Sequence, residues 1–70
     1  MRSKLSQRLK QLRKERGISQ VKLADALNIN NITIAKIETG ERSTSIETLI
    51  VIAEFFGVST DYMLGLTDTL

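Results

Sequence analysis

The 70-residue chain has no cysteine and no histidine. Without thiols or imidazoles there is no Cys/His zinc site, no disulfide framework, no thiol nucleophile and no histidine acid-base chemistry. Proline is absent too, so there is no Pro-rich linker. The longest apolar run, Leu49 to Ala53, is five residues, where a bilayer crossing needs ~20. The opening Met-Arg-Ser-Lys-Leu-Ser-Gln-Arg carries no apolar stretch of the signal-peptide kind. Nor is there a phosphate-binding loop: Thr39-Gly40-Glu41-Arg42 lacks the spacing and the lysine of one. The acidic residues are scattered rather than paired across a cleft. The expectation is a cytoplasmic, non-enzymatic chain with no cofactor, no metal, no membrane contact and no evident small-molecule site.

What is present is charge arranged with a polarity. Residues 1 to 36 hold nine basic groups against Glu15 and Asp25, a net of +7, whereas residues 37 to 70 hold Arg42 against six acids, a net of −5. A basic half facing a polyanion and an acidic half facing water would account for this. A single domain of this size buries only ~60% of the surface its unfolded chain exposes. That suffices for a compact bundle and leaves little room for an enclosed cavity.

The periodicity is helical throughout, and no run alternates long enough for a strand. Helix 1 is predicted from about Lys4 to Arg16, with Leu5, Leu9 and Leu12 on one stripe and Gly17 as its stop. Helix 2 runs from about Gln20 to Leu27 behind the N-cap Ser19, and buries Leu23, Ala24 and Leu27. Asn28 suits the left-handed turn that ends it, and Ile29 follows as an apolar anchor. Asn30 caps helix 3, from about Asn31 to Glu38, which buries Ile34 and Ile37. Ser45 caps helix 4, whose apolar face is read as Ile46, Leu49, Ile50, Ala53 and Phe56. Ser59 caps a last helix from Thr60 to Leu64, closed by Gly65. The fold expected is an all-α bundle of five short helices in one domain spanning residues 1–70. Helices 2 and 3, joined by a short turn, form a helix-turn-helix whose second helix is the one that enters a DNA major groove.

The residues resemble the lambda-repressor-like (Cro/repressor, XRE) family over roughly Leu5 to Thr67. The resemblance rests on Leu-Arg-Lys-Glu-Arg-Gly-Ile-Ser-Gln at 12–20, Leu-Ala-Asp-Ala-Leu at 23–27 and Ile-Ala-Lys-Ile-Glu-Thr-Gly-Glu-Arg at 34–42. Ile-Glu-Thr-Leu at 46–49 and Phe-Phe-Gly-Val-Ser-Thr-Asp-Tyr-Met-Leu-Gly at 55–65 complete it. Two positions depart: Asn28 replaces the usual turn glycine, and Thr44 stands where relatives often carry proline. Neither conflicts with the fold, since Asn accepts the left-handed turn and proline only stiffens a loop.

The resemblance implies a sequence-specific regulator, most simply a repressor, acting on a double-stranded DNA operator. It assigns base contacts to Asn31, Ile32 and Lys36. Their chemistry suits adenine, a thymine methyl and guanine respectively. It assigns backbone contacts to Gln20, Asn30, Thr33 and Arg42, and a structural tie between helix 1 and helix 3 to Arg13 and Glu38. Arg8, Lys10 and Lys14 have no assigned role beyond long-range charge. A homodimer on a near-palindromic site is expected, with Thr60, Met63 and Leu66 at the contact between protomers. The alternative is an antitoxin-like, partner-binding module of the same fold, which the polar outer face of helix 3 disfavours.

Overall fold

A computed structural model describes residues 3–70. Met1 and Arg2, the latter among the basic groups counted above, lie outside the described residues. Five helices follow in order: α1 Lys4–Glu15, α2 Gln20–Leu27, α3 Asn31–Thr39, α4 Ile46–Phe56 and α5 Thr60–Leu64. There is no strand among the described residues. The expected bounds hold to within one residue: α1 stops at Glu15, and α3 runs on to Thr39. No helix is long and apolar enough to cross a membrane among the described residues.

Each helix is held at both ends by local chemistry. Ser3, Ser19, Asn30, Ser45 and Ser59 take extended backbone, and their side-chain oxygens accept from N–H groups of the first turn. Each cap satisfies one of the donors that a helix start leaves free. Each helix then runs into a left-handed residue (Gly17, Asn28, Gly40, Gly57 or Gly65). Beyond it the chain turns back, as where Ile29 N–H donates to the Ala24 carbonyl at 2.9 Å and Leu66 N–H to Asp61 at 2.9 Å. Asn28 does this with φ 58° and ψ 44°, a conformation Asn tolerates better than other side-chain-bearing residues. Gly65 is constrained twice: its φ is +78°, and an added Cβ would overlap the Lys4 side-chain stem. Such ends matter because helices of 5 to 12 residues are marginal alone in water.

One core joins all five helices. α1 packs on α3 and α5, α2 on α3 and α4, and α4 on α5. Leu9, Leu23, Ile34, Ile37, Ile52 and Met63 have no exposed surface, and the Phe55 and Phe56 rings meet edge to face at 5.0 Å. The inward face of α4 differs from the one expected. Leu49, Ile52, Ala53 and Phe56 are buried, while Ile46 is 73% and Ile50 43% exposed. Residues 49–53 are continuously apolar, so two adjacent stripes fit the period equally well and only tertiary packing selects one.

Two further expectations are corrected at the C-terminal end. Met63 is not at a surface between protomers: it is wholly buried, its flexible thioether filling the core beneath α5. Thr60 is half-buried and Leu66 72% exposed. Arg8 is not free charge either. Its guanidinium donates to the carbonyls of Tyr62 (2.6 Å) and Thr67 (2.7 Å), pairs with Asp68 at 2.6 Å and stacks 4.0 Å from the Tyr62 ring centroid. This clamp holds residues 62–68 to α1.

Met63→Ala is expected to lower stability by about 2–5 kcal/mol, the range for emptying a buried large apolar site. Urea unfolding followed by circular dichroism measures it, and a surface role would leave the midpoint nearly unmoved.

Candidate nucleic-acid interface

The buried stripe of α3 determines what its other side offers. Ile34, Ile37 and Glu38 turn inward, which leaves Asn31 exposed, Ile32 58% exposed and Lys36 half-buried. Ile32 and Lys36 are one turn apart and therefore neighbours on the helix surface. At the start of the helix, Asn30 Oδ1 accepts from Ile32 N–H at 2.7 Å, so the Asn30 side chain is first of all a cap. Its Nδ2 donors remain uncommitted among the described residues.

The loop after α3 is folded back onto it. The amides of Glu41 and Arg42 both reach the Lys36 carbonyl, at 3.0 and 3.3 Å. Arg42 Nη1 then donates to Thr33 Oγ1 at 3.3 Å. Two residues nine positions apart, both expected at the DNA backbone, are thus side by side. Gln20, the first residue of α2, is half-buried, and its Nε2 donates to Glu38 Oε1 at 3.1 Å. The seven expected contact residues therefore lie on α3, on its cap and on the two segments tied to it. Thr60 and Leu66 belong to the C-terminal end instead.

Behind this surface lies a buried ion pair. Arg13 Nε and Nη2 donate to the two oxygens of Glu38 at 2.6 and 3.1 Å, and Nη1 donates to the Ile18 carbonyl at 2.8 Å. The Glu38 side chain is 3% exposed. Its hydrogen bonds to Arg13 raise the guanidinium pKa above its usual value, outweighing the lowering by burial, with the carboxylate charge adding to the rise. A raised arginine pKa means that the pair's contribution is complete through neutral pH and fades only in strong alkali. This cluster bears out the expected tie between α1 and α3. Its links to Gln20 and Ile18 had no signal in the sequence, because partners 18 positions apart share no local pattern.

The charge polarity also takes a more specific form. Three basic groups of the first half are used internally: Arg8 on the tail, Arg13 on Glu38, and Arg16 on the Phe56 carbonyl at 3.0 Å. Lys10, Lys14, Lys22, Lys36 and Arg42 form no ion pair among the described residues.

Residues 9–63 match the family described as Helix-turn-helix. The chain belongs to that family. It is 38% identical over 61 residues to the HTH-type transcriptional regulator ImmR of Bacillus subtilis (strain 168), covering 87% of this chain and 48% of ImmR. The immunity repressor protein of Bacillus phage phi105 is 34% identical over 61 residues, covering 87% of this chain and 42% of the phage protein. The chain thus spans about half the length of these relatives. Among solved structures, the P22 c2 repressor in complex with synthetic operator 9T superposes with a TM-score of 0.81 at 27% identity, covering 86% of this chain and 91% of that one. The lambda-repressor-like architecture expected from the residues is the one observed.

Glu38→Ala strands the Arg13 charge in a buried site, and about 3–5 kcal/mol of stability should be lost. Replacing both partners, Arg13→Met with Glu38→Met, should cost far less, since apolar groups of similar volume replace both charges. Chemical denaturation of the single and double variants tests this; equal losses in both would refute it.

Proposed function

We propose that this chain is the DNA-binding part of a transcriptional repressor that reads a near-palindromic operator as a homodimer. The observation that carries the reading is the outer side of α3. There Asn31, Ile32 and Lys36 stand exposed or half-exposed on a frame shared with a repressor whose structure is an operator complex. Asn31 offers the paired donor and acceptor that match an adenine edge, Lys36 a donor for guanine oxygen and nitrogen, and Ile32 an apolar tip for a thymine methyl. Gln20, Asn30, Thr33 and Arg42 supply neutral and cationic groups for phosphates, which set register without reading sequence.

A single module of this size covers one half-site. Two copies with recognition helices ~34 Å apart would enter successive major grooves on one side of the duplex. Thr60 and Leu66 remain in the proposed contact between copies, without Met63. The exposed Leu64 and Leu70 extend the apolar surface there. Bound to a promoter, such a dimer represses by occlusion and needs no chemistry of its own; its working place is the cytoplasm, with the DNA.

Lys36→Ala and Asn31→Ala should each cost about 1–3 kcal/mol on the preferred site and relax preference at one base pair. Equal loss on preferred and random duplexes would reassign the residue to phosphate. Arg42→Ala should weaken all duplexes alike and make the logarithmic salt slope shallower by about one unit. Gln20→Ala should weaken binding with the slope unchanged. Fluorescence anisotropy titrations across a salt series read all four variants.

A further inference from the structure

We infer that Glu38 is a positioning residue for DNA-backbone binding: its buried carboxylate holds the Gln20 carboxamide ready for a phosphate, and Arg13 makes that arrangement possible. The inference rests on the DNA-binding reading above and adds a role to a pair that otherwise only ties helices together.

The geometry is specific. Gln20 donates one Nε2 hydrogen to Glu38 Oε1 at 3.1 Å. Of the two terminal atoms of this carboxamide, only the nitrogen can satisfy a carboxylate, which accepts and does not donate. Glu38 therefore selects one of the two amide orientations. In that orientation the second Nε2 hydrogen remains free among the described residues. A donor, rather than the carbonyl oxygen, is what a phosphate requires. An unheld glutamine would sample several rotamers and both amide faces, and binding would have to order it at an entropic cost.

Holding a phosphate donor with a bare carboxylate would normally be self-defeating, because the two anions repel. Here Arg13 engages both Glu38 oxygens, at 2.6 and 3.1 Å. The local charge is thereby balanced while one oxygen keeps capacity for Gln20. Arg13 also donates to the Ile18 carbonyl at 2.8 Å, two residues before Gln20. Side chain and backbone of this contact are thus fixed by the same guanidinium.

The test is a double-mutant cycle on DNA binding. The probes are a duplex selected from a random pool by the wild-type protein and a random-sequence duplex at low salt. In the wild-type background Gln20→Ala should weaken both by about tenfold, as expected for a hydrogen bond to a charged group. In the Arg13→Met/Glu38→Met background the residue is no longer held, and Gln20→Ala should then change affinity less than about twofold. Glu38→Gln, which keeps an acceptor for Nε2, should restore most of the Gln20→Ala effect. The same tenfold loss in every background would make the pair merely structural and overturn the inference. A measurement on the wild type needs no variant: the Gln20 side-chain amide should be nearly as ordered as rigid backbone by 15N relaxation, with an order parameter of about 0.8. A value below about 0.6 in the free protein overturns the inference as well. Failure of the wild type to bind either duplex would instead overturn the DNA-binding reading itself.

Discussion

The buried contact between Arg13 and Glu38 is the constraint on which the rest of this structure depends. Taking two charges out of water costs several kcal/mol per ion, and the attraction offsets that cost only when every remaining donor and acceptor is satisfied. Here all three guanidinium nitrogens are used, on two Glu38 oxygens and the Ile18 carbonyl. No buried side-chain polar atom is left without a partner among the described residues. Such an arrangement tolerates little displacement, so it fixes α1, the start of α2 and the end of α3 relative to one another. Apolar packing of Leu9, Leu23, Ile34 and Ile37 supplies the driving force but is less directional.

The Arg8 clamp does for the C-terminal end what Arg13 does for the recognition end. Both arginines come from α1, five residues apart, and each combines a carboxylate with main-chain carbonyls. The exposed carboxylate of Asp68 makes its ion pair a weak contributor. The two carbonyls and the Tyr62 ring matter more. The basic residues of this chain thus divide by task, with arginines spent inside as multidentate fasteners and lysines left outside. That division follows from chemistry: a planar guanidinium with five donors suits a buried junction, and a mobile, strongly hydrated ammonium suits a surface.

The helices, their caps and the turn were legible in the residues because each depends on near neighbours. Ser19, Asn30, Ser45 and Ser59 cap within three positions, and the left-handed residues turn the chain within one or two. What stayed hidden was tertiary. The continuous apolar run 49–53 could not say which stripe of α4 faces in, and Ile52 rather than Ile46 or Ile50 is buried. Met63 looked like surface because a terminal helix of five residues gives periodicity almost nothing to act on. Arg8 looked like one more solvated cation, since its partners lie 54 to 60 positions away. The outward side chains of α3 were readable as a set, because the turn and the buried stripe together leave only one side free.

The account rests centrally on the claim that this outer side reads base pairs in a two-fold arrangement. Selection of bound sequences from a pool of randomised duplexes tests it most directly. The result predicted is enrichment of a near-palindrome whose two half-sites are centred about one helical turn, ~10 base pairs, apart. Enrichment of a single asymmetric half-site would contradict the dimer, and no enrichment at all would contradict the reading of DNA by α3.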